Sequence, residues 1–424
     1  MTELYSRIGD TKKRISPAEK FLFYFAVFDV LFFPYVSSIA TTYTQILAFG
    51  WFVVKACSSK AYEIDRRDKH LYVGLLFLII ACTATSIFFI PIKYTDIGLR
   101  ENILRAIQIL SSFGYLFLFT YGLQRVSIHW ISILWGMIIY VVLWGAIYVN
   151  NFSLFLSLKQ FFNSHDSIMS FYKTDADYIY RFSFIWTDPN NISYAICSTY
   201  IFLITWGQSK LIYEILGLFA VFFICVISMS TGGFVSLLIC VLALFAKIVQ
   251  RSKVKGNSLS AIYFLITILI VGVLIYGLIY YFLPESAVNS ALSRFSNKGL
   301  DTSRLDIWSK LFADKLDYLP IFLFYGTGYQ VYVSGEPFNV HNGHFLLIFA
   351  YGILGYLCYM LLLFRKPHFV SIEKYLFMLP FFLGFTINTF IGEAKAIALV
   401  MLLIALMRTN GNQLNKLGKR YELR

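Results

Sequence analysis

Residues 340–355 read VHNGHFLLIFAYGILG, with two histidines and an asparagine standing at the head of an apolar run that continues to Phe364. Between Asn342 and Phe364 there is no Asp, Glu, Lys or Arg. At about 1.5 Å per residue such a run crosses a hydrocarbon core of about 30 Å as one helix, which leaves the titratable rings at the membrane's edge. Similar apolar runs recur on both sides of it. They place spans at about 21–39, 41–57, 71–92, 104–123, 127–149, 190–207, 211–229, 232–248, 259–283, 342–364, 375–391 and 394–408. The expected fold class is an all-α polytopic membrane protein of about 12 transmembrane helices, a single integral membrane domain over residues 1–424.

Composition agrees. Hydrophobic residues make up 58% and charged residues 14% of the chain, against about a quarter charged in ordinary globular domains. The first twenty residues are polar and no small-residue cleavage pattern closes the first apolar run, so that run is expected to remain as a helix. The six cysteines lie in or beside apolar segments without a CxxC pair, which reads as small core residues rather than a disulfide framework or metal site.

The net charge of +13 would suggest nucleic acid in a soluble chain. Here its distribution orients spans instead, and no nucleic-acid partner is expected. Lys and Arg cluster before the first span, in KACSSKAYEIDRRDKH, KIVQRSKVKG and FRKPHF, and in the tail NKLGKRYELR. The span assignment puts all of these on one side, the cytoplasm by the positive-inside rule, with both termini cytoplasmic.

Two connections, 150–189 and 284–341, are long and face the other way. The second, between spans 9 and 10, contains TSRLDIWSKLFADKLDYL. Its Leu305, Trp308, Leu311, Phe312, Leu316 and Leu319 recur at helical spacing, predicting an amphipathic helix on the outer interface. Ser303 and Asp306 form a capping-box pattern at its start.

The polar residues at that side invite chemistry. His341 taken alone caps a helix at the interface; as an imidazole titrating near neutral pH it is also a general-base candidate for a substrate anchored in the membrane. Arg181, Arg294 and Arg304 lie in the same two outer loops, and guanidinium forks suit a diphosphate head group. Asn342, Asp188 and Trp308 are read as supporting this site, with Asp188 before Pro189 also placed to cap the sixth span. Gly352 and Gly355 read as small residues for close helix packing, and His344 as a packing position. Glu393 and Lys395 stand near a helix end from which both reach water. Asp29 and Glu214 are polar groups within spans, functional candidates by their depth. No Walker loop, HExxH, paired-cysteine or acidic-pair metal signature is present, so no metal or cofactor is expected.

Taken together, RFSFIWTDPNN (181–191), SMSTGGFVSLL (228–238), TSRLDIWSKL (302–311) with its Arg-x-x-x-Trp spacing, YGTGYQ (325–330) and the His-Asn, nine residues, Gly-x-x-Gly arrangement from His341 to Gly355 resemble the O-antigen ligase and polymerase superfamily of bacterial envelope proteins. The resemblance spans about 181–365, with the motifs in the family's order. Thr231 departs from it, standing where many relatives carry arginine.

The resemblance implies metal-independent glycan transfer at the periplasmic face of the bacterial inner membrane. The donor is linked to undecaprenyl diphosphate and the acceptor is anchored in lipid. Carried over residue by residue, His341 is the base, Arg181 and Arg304 hold the diphosphate, and Arg294 is a further ligand. The motifs do not separate a polymerase, which extends a lipid-linked repeat unit and works beside a chain-length regulator, from a ligase, which delivers glycan to lipid A-core. The aromatic composition and the Asp-Pro-Asn turn lean toward the polymerase. A lipid-linked oligosaccharide flippase is a further alternative, against which the charges in outer loops rather than spans count.

Overall fold

Ser16 and Glu19 form a reciprocal capping box, with Pro17 at the first helical position, and so start the first helix one turn ahead of the apolar run that begins at Phe21. The computed structural model describes residues 15–33, 42–57, 66–162, 181–183, 186, 188–207, 209–255, 272–273, 277, 281, 302–315, 320, 324–367, 370–387 and 393–422. In chain order the helices are α1 (Pro17–Phe32), α2 (Gln45–Cys57), α3 (Arg66–Thr85), α4 (Thr95–Arg125), α5 (Trp130–Asn150), α6 (Phe152–Phe162), α7 (Pro189–Trp206), α8 (Leu211–Ser228), α9 (Thr231–Lys255) and α10 (Thr302–Lys315). A hairpin of β1 (Val331–Val333) and β2 (Glu336–Phe338) follows, then α11 (Gly343–Phe364), α12 (Ile372–Tyr375), α13 (Met378–Ile387) and α14 (Ala394–Glu422).

The molecule is a mostly helical, multi-pass membrane protein. Among the described residues, 6 helical segments are long and apolar enough to cross a membrane: 67–89, 92–125, 130–150, 211–228, 231–251 and 343–364. The expected ninth span, 259–283, lies largely outside the described residues. Helix α7 carries Asn190, Asn191, Ser193, Ser198, Thr199 and Thr205 yet is buried almost throughout, so it runs through protein rather than lipid. Helix α4 packs along α2 and α14, α11 along α3, and α7 against α8, α9 and α13.

One end of the bundle is held by buried acids clasped between bases. Asp68 at the start of α3 meets Arg365 at 3.0 Å and Arg408 at 2.5 Å. Glu214 at the start of α8 meets Lys247 at 2.8 Å and Arg251 at 3.0 Å. Glu214, a functional candidate by its depth, is therefore a structural clasp. Removing one partner of such a buried pair typically costs about 3–5 kcal/mol.

The opposite end carries the two long connections. The first opens with α6, a helix within the connection expected over 150–189. In the second, α10 packs against β1, with Leu311 buried and Leu305 exposed, so only part of the amphipathic face is used against protein. The Ser303–Asp306 box lies outside the described side chains. The hairpin departs from the all-helical expectation. Its strands are three residues each, paired Val331↔Phe338 and Val333↔Glu336, too short for a period of two to show. Ser334 and Gly335, both at positive φ, close the turn.

Helix α11 breaks at Gly352, whose φ of 68° and ψ of 173° belong to a region open essentially to glycine alone. The break leaves carbonyls without their helical donors, and YGTGYQ supplies others. Thr327 N–H donates to Phe349 O at 2.8 Å and Gly328 N–H to Ala350 O at 3.0 Å. A Cβ on Gly352 would come within 2.6 Å of the Phe324 carbonyl. The packing expected of this glycine is thus an approach by a loop rather than a helix, while a Cβ on Gly355 would meet only Tyr351 of its own helix.

Candidate functional site

The start of α11 fixes its backbone from both sides of His341. Asn342, not His341, is the helix cap: its Oδ1 accepts from Phe345 N–H at 3.0 Å and its Nδ2 donates to the Thr386 carbonyl at 2.9 Å. On the other side, the Val340 carbonyl accepts from Trp308 Nε1 at 3.1 Å, tying α10 to this point. Between these anchors His341 sits in the left-handed region at φ 48°, its own N–H donating to Asn339 Oδ1 at 3.2 Å. A non-glycine residue held there is uncommon and costs free energy. His344, one turn on, packs on Phe382 with ring centroids 4.9 Å apart, as a packing position should. Its nitrogens also meet polar groups, Nε2 lying 3.2 Å from Thr386 Oγ1 and Nδ1 3.3 Å from the Tyr356 hydroxyl.

Arg181 lies at the open ends of α7 and α8. Its Nε donates to the Ser228 carbonyl and its Nη2 to Asn190 Oδ1, both at 3.0 Å. Ser228 precedes Met229, again left-handed at φ 49°. Two of the three non-glycine residues at positive φ among the described residues thus adjoin the two ends of the candidate site. Asp188 caps α7 as expected, its Oδ1 accepting from Asn190 N–H at 2.7 Å, which sets the asparagine against the arginine.

Sequence reasoning missed Lys159. It is fully buried on α6 and donates to the Ser183 carbonyl at 2.7 Å and to Ser183 Oγ at 2.6 Å, two residues from Arg181. Burial pushes its ammonium well below the usual lysine value. Phe182, wedged among Tyr148 and Phe155, donates its N–H to Ile227 O at 3.1 Å. The one available signal was a lone charge in the apolar stretch FLSLKQFF.

Each half makes a contact with the C-terminal helices α13 and α14. Thr386 receives Asn342 from α11, and Glu393 Oε2 accepts from Asn191 Nδ2 of α7 at 3.3 Å. Glu393 and Lys395 are both buried, contrary to the expectation that they reach water. Asp29, also fully buried, accepts from Thr44 N–H and Oγ1 at 2.6 and 2.7 Å.

His341 stands ahead of the N-terminus of α11 and Arg365 follows its C-terminus, so the two halves of the broken helix separate His341 from the basic end. Asp188 stands at the matching end of α7. Trp308 is joined to the site, whereas Arg304, on the same helix, and Arg294 have side chains outside the described residues. Among the described residues no group of three His, Cys, Asp or Glu side chains is placed to hold a metal ion.

Residues 216–360, from α8 into α11, match the family model described as O-antigen ligase. No curated protein and no solved structure matches the chain. The matched segment includes His341, Asn342, Gly352 and Gly355, and ends within the stretch that carries the resemblance.

Proposed function

On the premise that the chain, through residues 216–360, is a member of the O-antigen ligase and polymerase superfamily, whose members are glycosyltransferase-like enzymes, we propose that it is a surface-polysaccharide polymerase. It transfers a glycan from undecaprenyl diphosphate to a lipid-linked repeat unit. The bundle end with the Asp68 and Glu214 clasps faces the cytoplasm and the His341 end faces the periplasm, in the twelve-span arrangement with both termini inside.

The observation that carries the reading is His341 held at φ 48° between two anchored neighbours, strain of the kind that persists where function needs a side chain aimed. In the reaction the acceptor hydroxyl oxygen attacks the anomeric carbon of the donor sugar. Its proton passes to the His341 imidazole. The bond from that carbon to the diphosphate oxygen breaks, and undecaprenyl diphosphate leaves with the electron pair. Arg181 and Arg304, with Arg294, stabilise the charge that builds on the leaving group, in a site poor in water where such help is worth several kcal/mol.

A ligase delivering glycan to lipid A-core is the second reading, favoured by the description of the matching family. The lipopolysaccharide banding pattern of a strain lacking the chain separates them. Core bearing a single repeat supports the polymerase; bare core with accumulated lipid-linked polymer overturns it in favour of the ligase.

A further inference from the structure

Helix α6 buries one narrow face. Among its described side chains only Phe155 and Lys159, one turn apart, are buried, while Leu154 and Phe161 are exposed. Phe155 meets Tyr148 and Phe182, with ring centroids 5.2 and 5.5 Å away. Lys159 is fully buried beside it, its Nζ 5.9 Å from the centre of the Phe155 ring. A methionine would cover the same surface without a charge, whereas taking an ammonium out of water is costly. Packing alone therefore gives no reason for a lysine here; its donors do.

Two of those donor contacts go to one residue, the Ser183 carbonyl at 2.7 Å and Ser183 Oγ at 2.6 Å. Arg181, Phe182 and Ser183 are all buried, and the end of α8 accepts from the first two. Phe182 N–H donates to Ile227 O at 3.1 Å and Arg181 Nε to Ser228 O at 3.0 Å. Segment 181–183 is thus bonded to α8 through its first residues and to α6 through its last. From this position Arg181 Nη2 reaches Asn190 Oδ1 at 3.0 Å. A guanidinium recognises phosphate through a planar fork, so its orientation matters as much as its charge. The Ser228 carbonyl and Asn190 fix that plane only while the backbone of 181–183 stays where α6 holds it.

We propose that Lys159 is a positioning residue, which by holding Ser183 sets the guanidinium of Arg181 toward the diphosphate of the donor. The inference rests on the reading of Arg181 as a ligand of that group, and it holds for polymerase and ligase alike. Without the tether the segment moves while its arginine stays charged. The loss then falls on the transition state, where a displaced group is costly.

The test is a double-mutant cycle on glycan transfer by the full chain in proteoliposomes, supplied with undecaprenyl-diphosphate-linked glycan and the acceptor that the deletion strain identifies. Lys159→Met should lower kcat and kcat/KM together by about tenfold, within the range of coupling in one contact network. In an Arg181→Lys background, which keeps the charge but has already lost the fork, the same substitution should cost less than about twofold. Ser183→Ala spares the carbonyl contact and should give a smaller loss with the same dependence on Arg181; it carries the test if Lys159→Met inserts poorly. Equal fold losses in the two backgrounds overturn the inference and leave Lys159 as a clasp of the fold. Wild-type activity in Lys159→Met or in Arg181→Lys overturns it too. Arg181→Ala, measured alongside, reports on the underlying reading: wild-type activity there overturns that reading and the inference together, whereas a loss there confines any failure to Lys159.

Discussion

Trp308 donates its indole N–H to the carbonyl of Val340 across 3.1 Å, so α10 is fastened at the residue preceding His341. The indole also meets Phe345 edge-on, with centroids 5.5 Å apart. Trp308→Phe keeps the ring and removes the donor. Losing one such bond costs about 1 kcal/mol, so transfer should fall about fivefold in reconstituted protein while abundance is unchanged. Wild-type activity would mean that α10 is held by apolar contact alone.

His341→Ala should lower the glycan transfer rate by about 10² to 10⁴, the usual worth of general-base help, without weakening binding of undecaprenyl diphosphate. His344→Ala removes contacts to Thr386 and Tyr356 but no reacting group, and should cost less than about tenfold. Equal losses for the two variants, measured in one lipid-reconstituted assay, would count against His341 as the base.

Gly352→Ala should destabilise the protein. The backbone at φ 68° and ψ 173° costs a side chain about 1–3 kcal/mol, and the added methyl would crowd the Phe324 carbonyl. Thermal unfolding in detergent should show a lowered midpoint, and an unchanged midpoint would mean that the break in α11 is dispensable.

Lys159 supplies a pH dependence. Its folded-state pKa is depressed by burial, so the unfolded chain binds more protons than the folded one at pH values between that depressed value and the ordinary lysine range. Stability rises with pH across this window. The burden of burying an ammonium is greatest below the folded value and is relieved as pH rises. Lys159→Met removes the burden together with the contacts to Ser183, so the difference in midpoint between variant and wild type should shift in the wild type's favour from about pH 6 to about pH 10. A difference independent of pH would show that Lys159 does not titrate in the folded state.

Orientation is read from labelling. In a background with the exposed Cys57 replaced, cysteines at Glu336 and Lys366 should differ toward an impermeant reagent added to the periplasmic side, only the first reacting. Equal reaction would sink the proposed topology.

Much of the architecture was legible in order along the chain, because lipid makes a demand that each segment meets alone: a spanning backbone must satisfy its own hydrogen bonds and cover itself with apolar side chains. The run after His341, the Asp188–Pro189 helix start and the grouping of bases by alternate loops are local in this sense. What hydropathy cannot express is which polar groups face one another, since that depends on how helices rotate and which loop returns between them. Thus Asn342 rather than His341 became the cap once Thr386 offered its carbonyl. Gly352 became a break once YGTGYQ could reach the freed carbonyls, and Lys159 disappeared under the loop that carries Arg181. The hairpin beside them, three residues to a strand, left no period to read. The sequence by itself determined a membrane bundle and the order of its apolar runs; only the tertiary structure decided which polar side chains meet, because each polar group's free energy depends on partners distant in the chain.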